Sequence, residues 1–225
     1  MKWLVPLGFI LLFTQKISAQ KADTLNLIPN GDFEEVTIPK KLGPFCKALP
    51  KIWQFSDADI LSPNFDKRCT MRIPDSMRIN GDYSAGLWLF NVDEYENPTE
   101  DPYREYLHVE LKQPLIKGQN YALSLYVAPH AAAIFAINSL GFLFTNETTY
   151  SENALINSGI SRAPQLIFPF IMSENGEWIL HEFRLTATDT FKHLTIGNFF
   201  NNQKTQHKRI DPLNPKRNWE GGYSN

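Results

Sequence analysis

The sequence of 225 residues lacks an excess of charge of either sign. Its 22 Lys and Arg are nearly balanced by 24 Asp and Glu, so the formal net charge is −2 at pH 7. Without a positive field to attract phosphate groups, the chain is not expected to bind nucleic acid. One basic cluster near the C-terminus is interleaved with Asn, Gln and Pro, and we predict that it is a solvated loop. The cluster consists of Lys204, His207, Lys208, Arg209, Lys216 and Arg217.

The local motifs of the common enzyme classes are also absent. There is no nucleophile elbow, phosphate-binding glycine loop, zinc-binding His pair, paired-Cys metal spacing or EF-hand calcium loop. A glycoside hydrolase is not excluded, because it needs only two suitably spaced carboxylates, which leave no local signature. The five histidines are scattered, and a hydrogen-bonded structural role is expected for each. They are His108, His130, His181, His193 and His207.

Long hydrophobic runs are absent except at the N-terminus. Lys2 precedes an almost unbroken apolar stretch at 4–13, and Ala19 offers a small residue for cleavage before Gln20. This pattern predicts a Sec-type signal peptide over residues 1–19. The run is too short to span a hydrocarbon core of roughly 30 Å, and no later run approaches the required length. We therefore expect export to the periplasm, the outer-membrane surface or the medium, with no transmembrane segment in the mature chain.

Cysteine is scarce, since Cys46 and Cys69 are the only two in the chain. Neither lies beside the expected cleavage site, so a lipid anchor there is not predicted. In an oxidising compartment an even pair is typical of one disulfide, which would contribute on the order of 3 kcal/mol by closing the loop between them. Two buried thiols are the alternative, and mass spectrometry after alkylation with and without reductant distinguishes the two states.

What the sequence does contain is a composition suited to a packed core. Hydrophobic residues make up 43% and aromatic residues 13% of the chain, which predicts a folded protein. Apolar and polar residues alternate with a period of two in several segments, and no long segment has an apolar stripe of helical period. Short runs of this kind, separated by Gly- and Asn-containing turns, are typical of an antiparallel β-sandwich or jelly roll. The predicted strands cover 25–28, 52–55, 85–90, 106–111, 121–127, 140–145, 165–171, 179–185 and 193–196.

Residues 20–225 are expected to form a single domain. Two segments are predicted as long loops: 37–74, which holds both cysteines, and 91–102, which is acidic and contains proline. In a β-sandwich such loops are where binding function usually lies. Residues 131–138 are predicted to form a short helical turn.

The start of the expected mature chain is the most specific part of the sequence. Residues 26–34 read NLIPNGDFE, and a strand followed by NGDFE resembles the opening of galactose-binding-like jelly rolls, a superfamily that includes carbohydrate-binding modules. The similarity continues through Tyr103-Arg104-Glu105 to 194–199, and it resembles the N-terminal jelly-roll module of exported Gram-negative surface proteins. The resemblance implies a structural Ca²⁺ with Asp32 and Glu34 among its ligands, since hard oxygen ligands suit that ion.

The C-terminal end departs from that family. Such modules finish with an aromatic-rich strand and a pair of aspartates, whereas residues 219–225 read WEGGYSN. We therefore expect a C-terminally truncated fragment that lacks its last strand and is followed in the full protein by an outer-membrane-protein-A-like or sorting domain. A missing strand would leave a sheet edge unpaired and would weaken calcium binding.

The resemblance implies a non-catalytic module that binds an envelope glycan or an external polysaccharide. Sugar faces stack on aromatic rings, and sugar hydroxyls pair with planar polar side chains. The predicted ligand-binding residues are Trp88, Tyr95, Tyr103 and Arg104.

Several interpretations of these residues stay open. The apolar contexts of Trp53 and Trp88 favour the core over a binding platform, whereas Tyr95 and Tyr103 lie in the acidic stretch and are expected to be exposed. Arg104 has a second interpretation, an ion pair with its neighbour that holds the fold. Two other function classes also stay open: a structural or interaction module of an outer-membrane-associated protein, and a glycoside hydrolase on a jelly-roll scaffold.

Overall fold

A computed structural model describes residues 26–38, 48–56, 59–61, 75, 81–92, 104–130, 133–147, 163–171 and 178–210. These residues contain thirteen β-strands, a short 3-10 helix at Asn202–Lys204 and no α-helix. The strands in chain order are β1 (Val36–Thr37), β2 (Leu49–Pro50), β3 (Gln54–Ser56), β4 (Asp59–Leu61), β5 (Ser84–Gly86), β6 (Tyr106–Glu110), β7 (Asn120–Val127), β8 (Phe135–Ile137), β9 (Leu140–Thr145), β10 (Leu166–Ile167), β11 (Ile179–Thr186), β12 (His193–Asn198) and β13 (His207–Arg209).

The largest sheet has five antiparallel strands in the order β10-β9-β12-β6-β3. Strands β7 and β11 form a long antiparallel ribbon, and three smaller pairs join β1 to β2, β4 to β5 and β8 to β13. The predicted all-β class with antiparallel sheets is confirmed, and the arrangement is consistent with a β-sandwich. The jelly-roll connectivity stays a prediction.

The β7–β11 ribbon packs its apolar side chains against one face of the five-stranded sheet. The ring of Phe183 lies 5.3 Å from that of Phe142 and 5.9 Å from that of Phe168, measured between centroids. Alternate residues of both ribbon strands are exposed, so the predicted period of two is confirmed there. The buried core cluster comprises Trp53, Leu107, Val109, Leu111, Leu115, Leu140, Phe142, Phe144, Phe168, Leu185, Ala187, Phe191 and Leu194.

The opposite face of the five-stranded sheet is buried as well. Tyr106 and His108 point away from the core residues of β6, yet His108 is only 2% exposed. Thr195 lies directly opposite His108 in the sheet and is fully buried. The sequence placed His108 on the polar face of its strand, and the structure shows that this polar face is covered.

Two predicted irregular segments form a strand pair instead. Residues 131–138 were expected to be helical, but β8 lies in this segment because its backbone pairs with β13 and the side chains of Ala136 and Ile137 are buried. The same pairing corrects the prediction that the basic cluster is a solvated loop, because three of its members, His207 to Arg209, make β13. Lys216 and Arg217 lie outside the described residues.

Three further expectations need correction. Residues 26–28 form no strand, because the Asn26 side chain accepts a hydrogen bond from the Ile28 N–H at 3.0 Å and turns the backbone. The predicted loop at 37–74 contains β2, β3 and β4. Of the predicted strand at 85–90, the pairing found among the described residues covers its first two residues, in β5. Within the described residues, no helix has the length and apolar character needed to cross a bilayer.

Candidate functional site

The NGDFE segment folds into a loop organised by Asn30. Asn30 has a left-handed backbone with φ of 45°, which Asn tolerates better than most residues. Its side-chain amide donates to the carbonyls of Glu35 and Lys51 at 3.0 and 3.1 Å, and its side-chain oxygen accepts from the Glu35 N–H at 2.9 Å. The buried Trp53 indole donates to the Asn30 carbonyl at 2.9 Å, so the expectation that Trp53 belongs to the core is confirmed.

Glu34 fixes this loop against the turn that precedes β5. One oxygen of its carboxylate accepts the backbone N–H groups of Asp82 and Tyr83 at 2.8 and 3.0 Å. Gly81 has φ of 144°, and a Cβ atom added there would lie 2.1 Å from that oxygen. The Asp32 carboxylate accepts from the Glu34 N–H at 3.4 Å. Within the described ranges no three His, Cys, Asp or Glu residues are grouped to hold a metal, and the Ca²⁺ site at Asp32 and Glu34 stays a prediction.

Arg104 lies in a buried polar network and is 7% exposed. Its guanidinium donates to the side-chain oxygens of Asn91 and Asn202 and to the Phe200 carbonyl. The Asn202 amide in turn donates to the Asn91 carbonyl at 3.0 Å. Burial lowers the pKa of Arg104 to about 10, so the guanidinium stays charged at neutral pH. The network ties together three segments that are distant in sequence.

Glu105 holds the backbone of the segment that follows β5. Its carboxylate accepts from the Trp88 N–H at 2.6 Å, and its own N–H donates to the Trp88 carbonyl at 3.0 Å. One residue further along the segment, the Leu89 carbonyl accepts from the Asn198 side chain at 2.8 Å. The backbone around Trp88 is therefore fixed from two directions although it belongs to no strand.

Trp88 itself is exposed. Leu87 and Leu89 pack against the core cluster, and in an extended segment alternate residues lie on opposite sides, which places Trp88 and Phe90 on the outer side. The Trp88 side chain is 41% exposed. The sequence favoured the core for Trp88, and this expectation is wrong because the apolar flanking residues take the inward positions.

Phe90 continues this surface into a cluster of stacked rings. Its ring lies 4.5 Å from that of His207 in a stacked geometry and 5.9 Å from that of Phe135 in an edge-on geometry. His207 also meets Phe135 edge-on at 5.6 Å. We call Trp88, Phe90, Phe135 and His207 the aromatic surface. It brings together the segment after β5 and the β8–β13 pair.

A second polar cluster lies on the covered face of the five-stranded sheet. The Nδ1 atom of His108 lies 2.8 Å from the Thr195 hydroxyl, and the rings of His108 and His193 stack at 5.2 Å. Burial, with a smaller contribution from His193, lowers the pKa of His108 to about 4. His108 therefore stays neutral at physiological pH, and the hydrogen bonding expected for its side chain is present.

A shallow cavity of about 380 Å³ opens near the end of β9 and includes two carboxylates, Glu147 and Asp189. One Asp189 oxygen accepts from the Thr190 N–H at 2.8 Å, and the other accepts from the Asn146 side chain at 3.2 Å. Gln165 in the cavity wall bonds the backbone of Phe144 at both its N–H and its carbonyl. The carboxylate of Asp189 is thus engaged in holding its own loop.

The structure describes only some of the predicted site residues. Trp88 and Arg104 lie on neighbouring segments, Trp88 exposed and Arg104 buried. Tyr95, Tyr103, Cys46 and Cys69 lie outside the described residues, as does the expected signal peptide.

Sequence reasoning missed the other members of the aromatic surface. The alternation of Leu87 to Phe90 contains the signal that Phe90 shares a side with Trp88. The stacking of Phe135 and His207 depends on the pairing of β8 with β13, which has no local signature. A scan of the chain against protein-family models finds no match, and neither does a search of the curated proteins.

Proposed function

We propose that this protein is an exported, non-catalytic module that binds carbohydrate, with Trp88 as its principal contact to the sugar. The observation that carries the proposal is the exposure of the Trp88 indole, 41%, on a backbone that Glu105 holds at two points. Indole rings contribute a large contact area to the apolar face of a sugar. A ring on a fixed backbone also loses little conformational entropy when the ligand binds.

The rest of the aromatic surface supports the same proposal. Phe90 and Phe135 are partly buried and His207 is exposed, so a polysaccharide chain that stacks on Trp88 has a second ring platform close by. Arg104 donates to the side-chain oxygens of Asn91 and Asn202, which ties the segment that contains Trp88 and Phe90 to the 3-10 helix that precedes β13. Rigid support of this kind favours binding because the surface needs no rearrangement.

The alternative to carbohydrate binding, from another function class, is a structural or interaction module. It requires no sugar contact, so loss of the Trp88 ring would leave its function unchanged. A hydrolase would instead need catalytic carboxylates, for which the cavity offers Glu147 and Asp189. Release of reducing ends from a bound polysaccharide, lost in both Glu147→Gln and Asp189→Asn, would favour the hydrolase over the proposal.

Affinity electrophoresis through gels that contain single soluble polysaccharides tests the proposal. We expect at least one neutral or acidic plant, algal or bacterial polysaccharide to retard the mature protein, and Trp88→Ala to abolish most of that retardation. Tyr126→Ala is the matched control, because Tyr126 is also an exposed ring, 44% exposed, but lies on the outer face of β7. Equal retardation of the wild type and the Trp88 variant would contradict the proposal.

Export is tested separately by fractionation of cells that produce the full chain. We expect the protein outside the cytoplasm with Gln20 as its first residue, as the sequence pattern at 1–19 predicts. A cytoplasmic protein that retains Met1 would contradict the proposed export without bearing on sugar binding.

A further inference from the structure

One edge of the β7–β11 ribbon has no strand beside it in the part of the chain that the structure describes. Strand β11 is eight residues long and pairs with β7 alone among the described strands. No other backbone hydrogen bond between described residues involves 179–186. On the free side of an edge strand, every second residue directs its N–H and C=O groups outward. The edge of β11 can therefore accept a further strand.

Exposed apolar side chains lie on β11 and on the segment that packs against it. Leu180 is on the outer face of β11 and is 47% exposed. The ring of Phe168 contacts those of His181 and Phe183 in β11, at 4.2 and 5.9 Å between centroids. Phe170 follows two residues later and is 68% exposed. Exposed apolar area next to a free sheet edge is typical of a contact with another chain.

The outer face of β11 carries one charge of each sign. Glu182 and Arg184 are both exposed, and strand alternation puts them on the same face, two residues apart. Their directly opposite neighbours in β7, Ser124 and Ala122, carry no charge. Neither charged side chain forms an ion pair with a described residue. Both charges are thus available to an added strand.

Two identical strands fit edge to edge only in certain registers. In an antiparallel pair, residues directly opposite each other both direct their backbone groups toward the partner strand or both away from it. For two copies of β11, opposite residues must therefore differ by an even number of positions. A two-fold axis at Phe183 meets this condition and puts Glu182 opposite Arg184 of the second copy, twice. The adjacent allowed registers put Glu182 opposite Glu182, or Arg184 opposite Arg184, and like charges directly opposite destabilise a pair.

We propose that two copies of this chain pair through the free edges of β11, with a two-fold axis at Phe183 and two Glu182–Arg184 contacts between the copies. Directly opposite side chains have Cβ atoms about 5 Å apart, which suits an ion pair. The charges select one self-complementary register, so the occupant of this edge is a second copy. A symmetric contact closes on itself and gives a dimer. The β7 edge contains no charged residue and specifies no such register.

Sedimentation equilibrium of the mature protein, in the absence of polysaccharide, tests for the dimer independently of sugar binding. We expect a reversible monomer–dimer equilibrium across a roughly hundredfold range of protein concentration. The equilibrium should shift toward the monomer when added salt screens the charged contacts. A monomer throughout this range would overturn the inference, and so would association that continues beyond the dimer.

Charge reversal tests the two residues. Glu182→Arg gives each edge two positive charges and Arg184→Glu gives each edge two negative ones, so each variant alone brings like charges together. We expect each to weaken dimerisation about tenfold. An equimolar mixture of the two variants should dimerise again, because opposite charges then face each other. The double variant Glu182→Arg/Arg184→Glu should also recover the dimer.

Lys112→Glu is the matched control for Arg184→Glu. It changes the net charge by the same amount and lies exposed in the connection between β6 and β7, away from β11. Equal weakening by Lys112→Glu and Arg184→Glu would show an effect of net charge and would overturn the assignment to this edge. A dimer that persists in both single variants would overturn it as well. Circular dichroism shows whether the variants are folded, and a mixture of folded variants that stays monomeric would also contradict the proposed pairing.

Discussion

The carboxylate of Glu105 accepts the backbone N–H of Trp88 at 2.6 Å, and the backbone N–H of Glu105 donates to the Trp88 carbonyl at 3.0 Å. The two bonds make Glu105 a clamp on a segment that belongs to no strand at this point. Trp88 is thereby presented to solvent on a fixed backbone, although Leu87 and Leu89 on either side point inward.

Loss of this clamp should weaken both the fold and the binding. We expect Glu105→Ala to lower the free energy of unfolding by about 1–3 kcal/mol, because the Trp88 N–H loses a charge-assisted partner. It should also reduce sugar affinity several-fold in the protein that stays folded. Urea unfolding and affinity electrophoresis measure the two effects. A stable variant with unchanged affinity would show that Trp88 is held by other contacts.

The contact between Glu34 and Gly81 is testable by a double-mutant cycle. Gly81→Ala should cost about 1–3 kcal/mol, because its positive φ disfavours a Cβ atom and that atom would meet the Glu34 carboxylate. Glu34→Ala should cost a similar amount, because two N–H groups lose their acceptor. We expect the double variant to be more stable than the sum of the single effects predicts. Strict additivity in urea unfolding would contradict the described contact.

Arg104 offers a test of its role in the buried network. We expect Arg104→Met to lower the free energy of unfolding by about 2–4 kcal/mol, since Asn91 and Asn202 would lose a charged donor. Arg104→Lys keeps the charge but not the planar fork, so an intermediate loss is expected. If Arg104→Met left the free energy of unfolding in urea unchanged and abolished sugar binding, Arg104 would act only as a ligand clamp. That result would contradict its role in stabilising the buried network.

The titration of His108 should contribute to the pH dependence of the free energy of unfolding. Its pKa is lowered to about 4 in the folded protein, whereas the unfolded chain has the ordinary value of about 6.5. The unfolded state therefore binds more protons between these values, and stability falls as the pH drops from about 6.5 to about 4. The loss attributable to this group is on the order of 3 kcal/mol.

Replacement of His108 by Gln removes that titration and retains a side chain able to bond Thr195. We expect the wild type to lose about 3 kcal/mol more stability than His108→Gln between about pH 7 and about pH 4. Denaturant unfolding across this range measures the difference. Parallel pH profiles for the two proteins would show that His108 titrates normally in the fold.

The longer strands could be predicted from the sequence because their patterns are local. Exposed and less exposed residues alternate over the eight residues of β7 and of β11. Burial of one side of each strand is enough to produce this pattern in the sequence. Strands β8 and β13 were missed because each has three residues and each depends on a partner distant in sequence. With three residues each, FAI in β8 and HKR in β13, the strands are too short to show a period that could reveal the pairing.

The candidate site was predictable only in part, for the same reason. The sequence indicates a Ca²⁺ site in the NGDFE segment, which stays a prediction, whereas the contact of Glu34 with Gly81 to Tyr83 arises from tertiary packing. The sequence predicts Trp88 as a ligand residue, yet its apolar neighbours Leu87 and Leu89 favour a buried position for it. The ring stack of Phe90 with His207 required knowledge of where β13 pairs, which no local pattern contains.

Tryptophan fluorescence during titration with the polysaccharide that retards the protein most strongly tests the contact between Trp88 and sugar directly. We expect a saturable blue shift in the wild type, because a sugar that stacks on the exposed indole removes water from it. Trp88→Phe should retain weaker binding by affinity electrophoresis and lose the shift. A shift of the same size in Trp88→Phe, or binding by the wild type with no spectral change, would contradict Trp88 as the sugar contact.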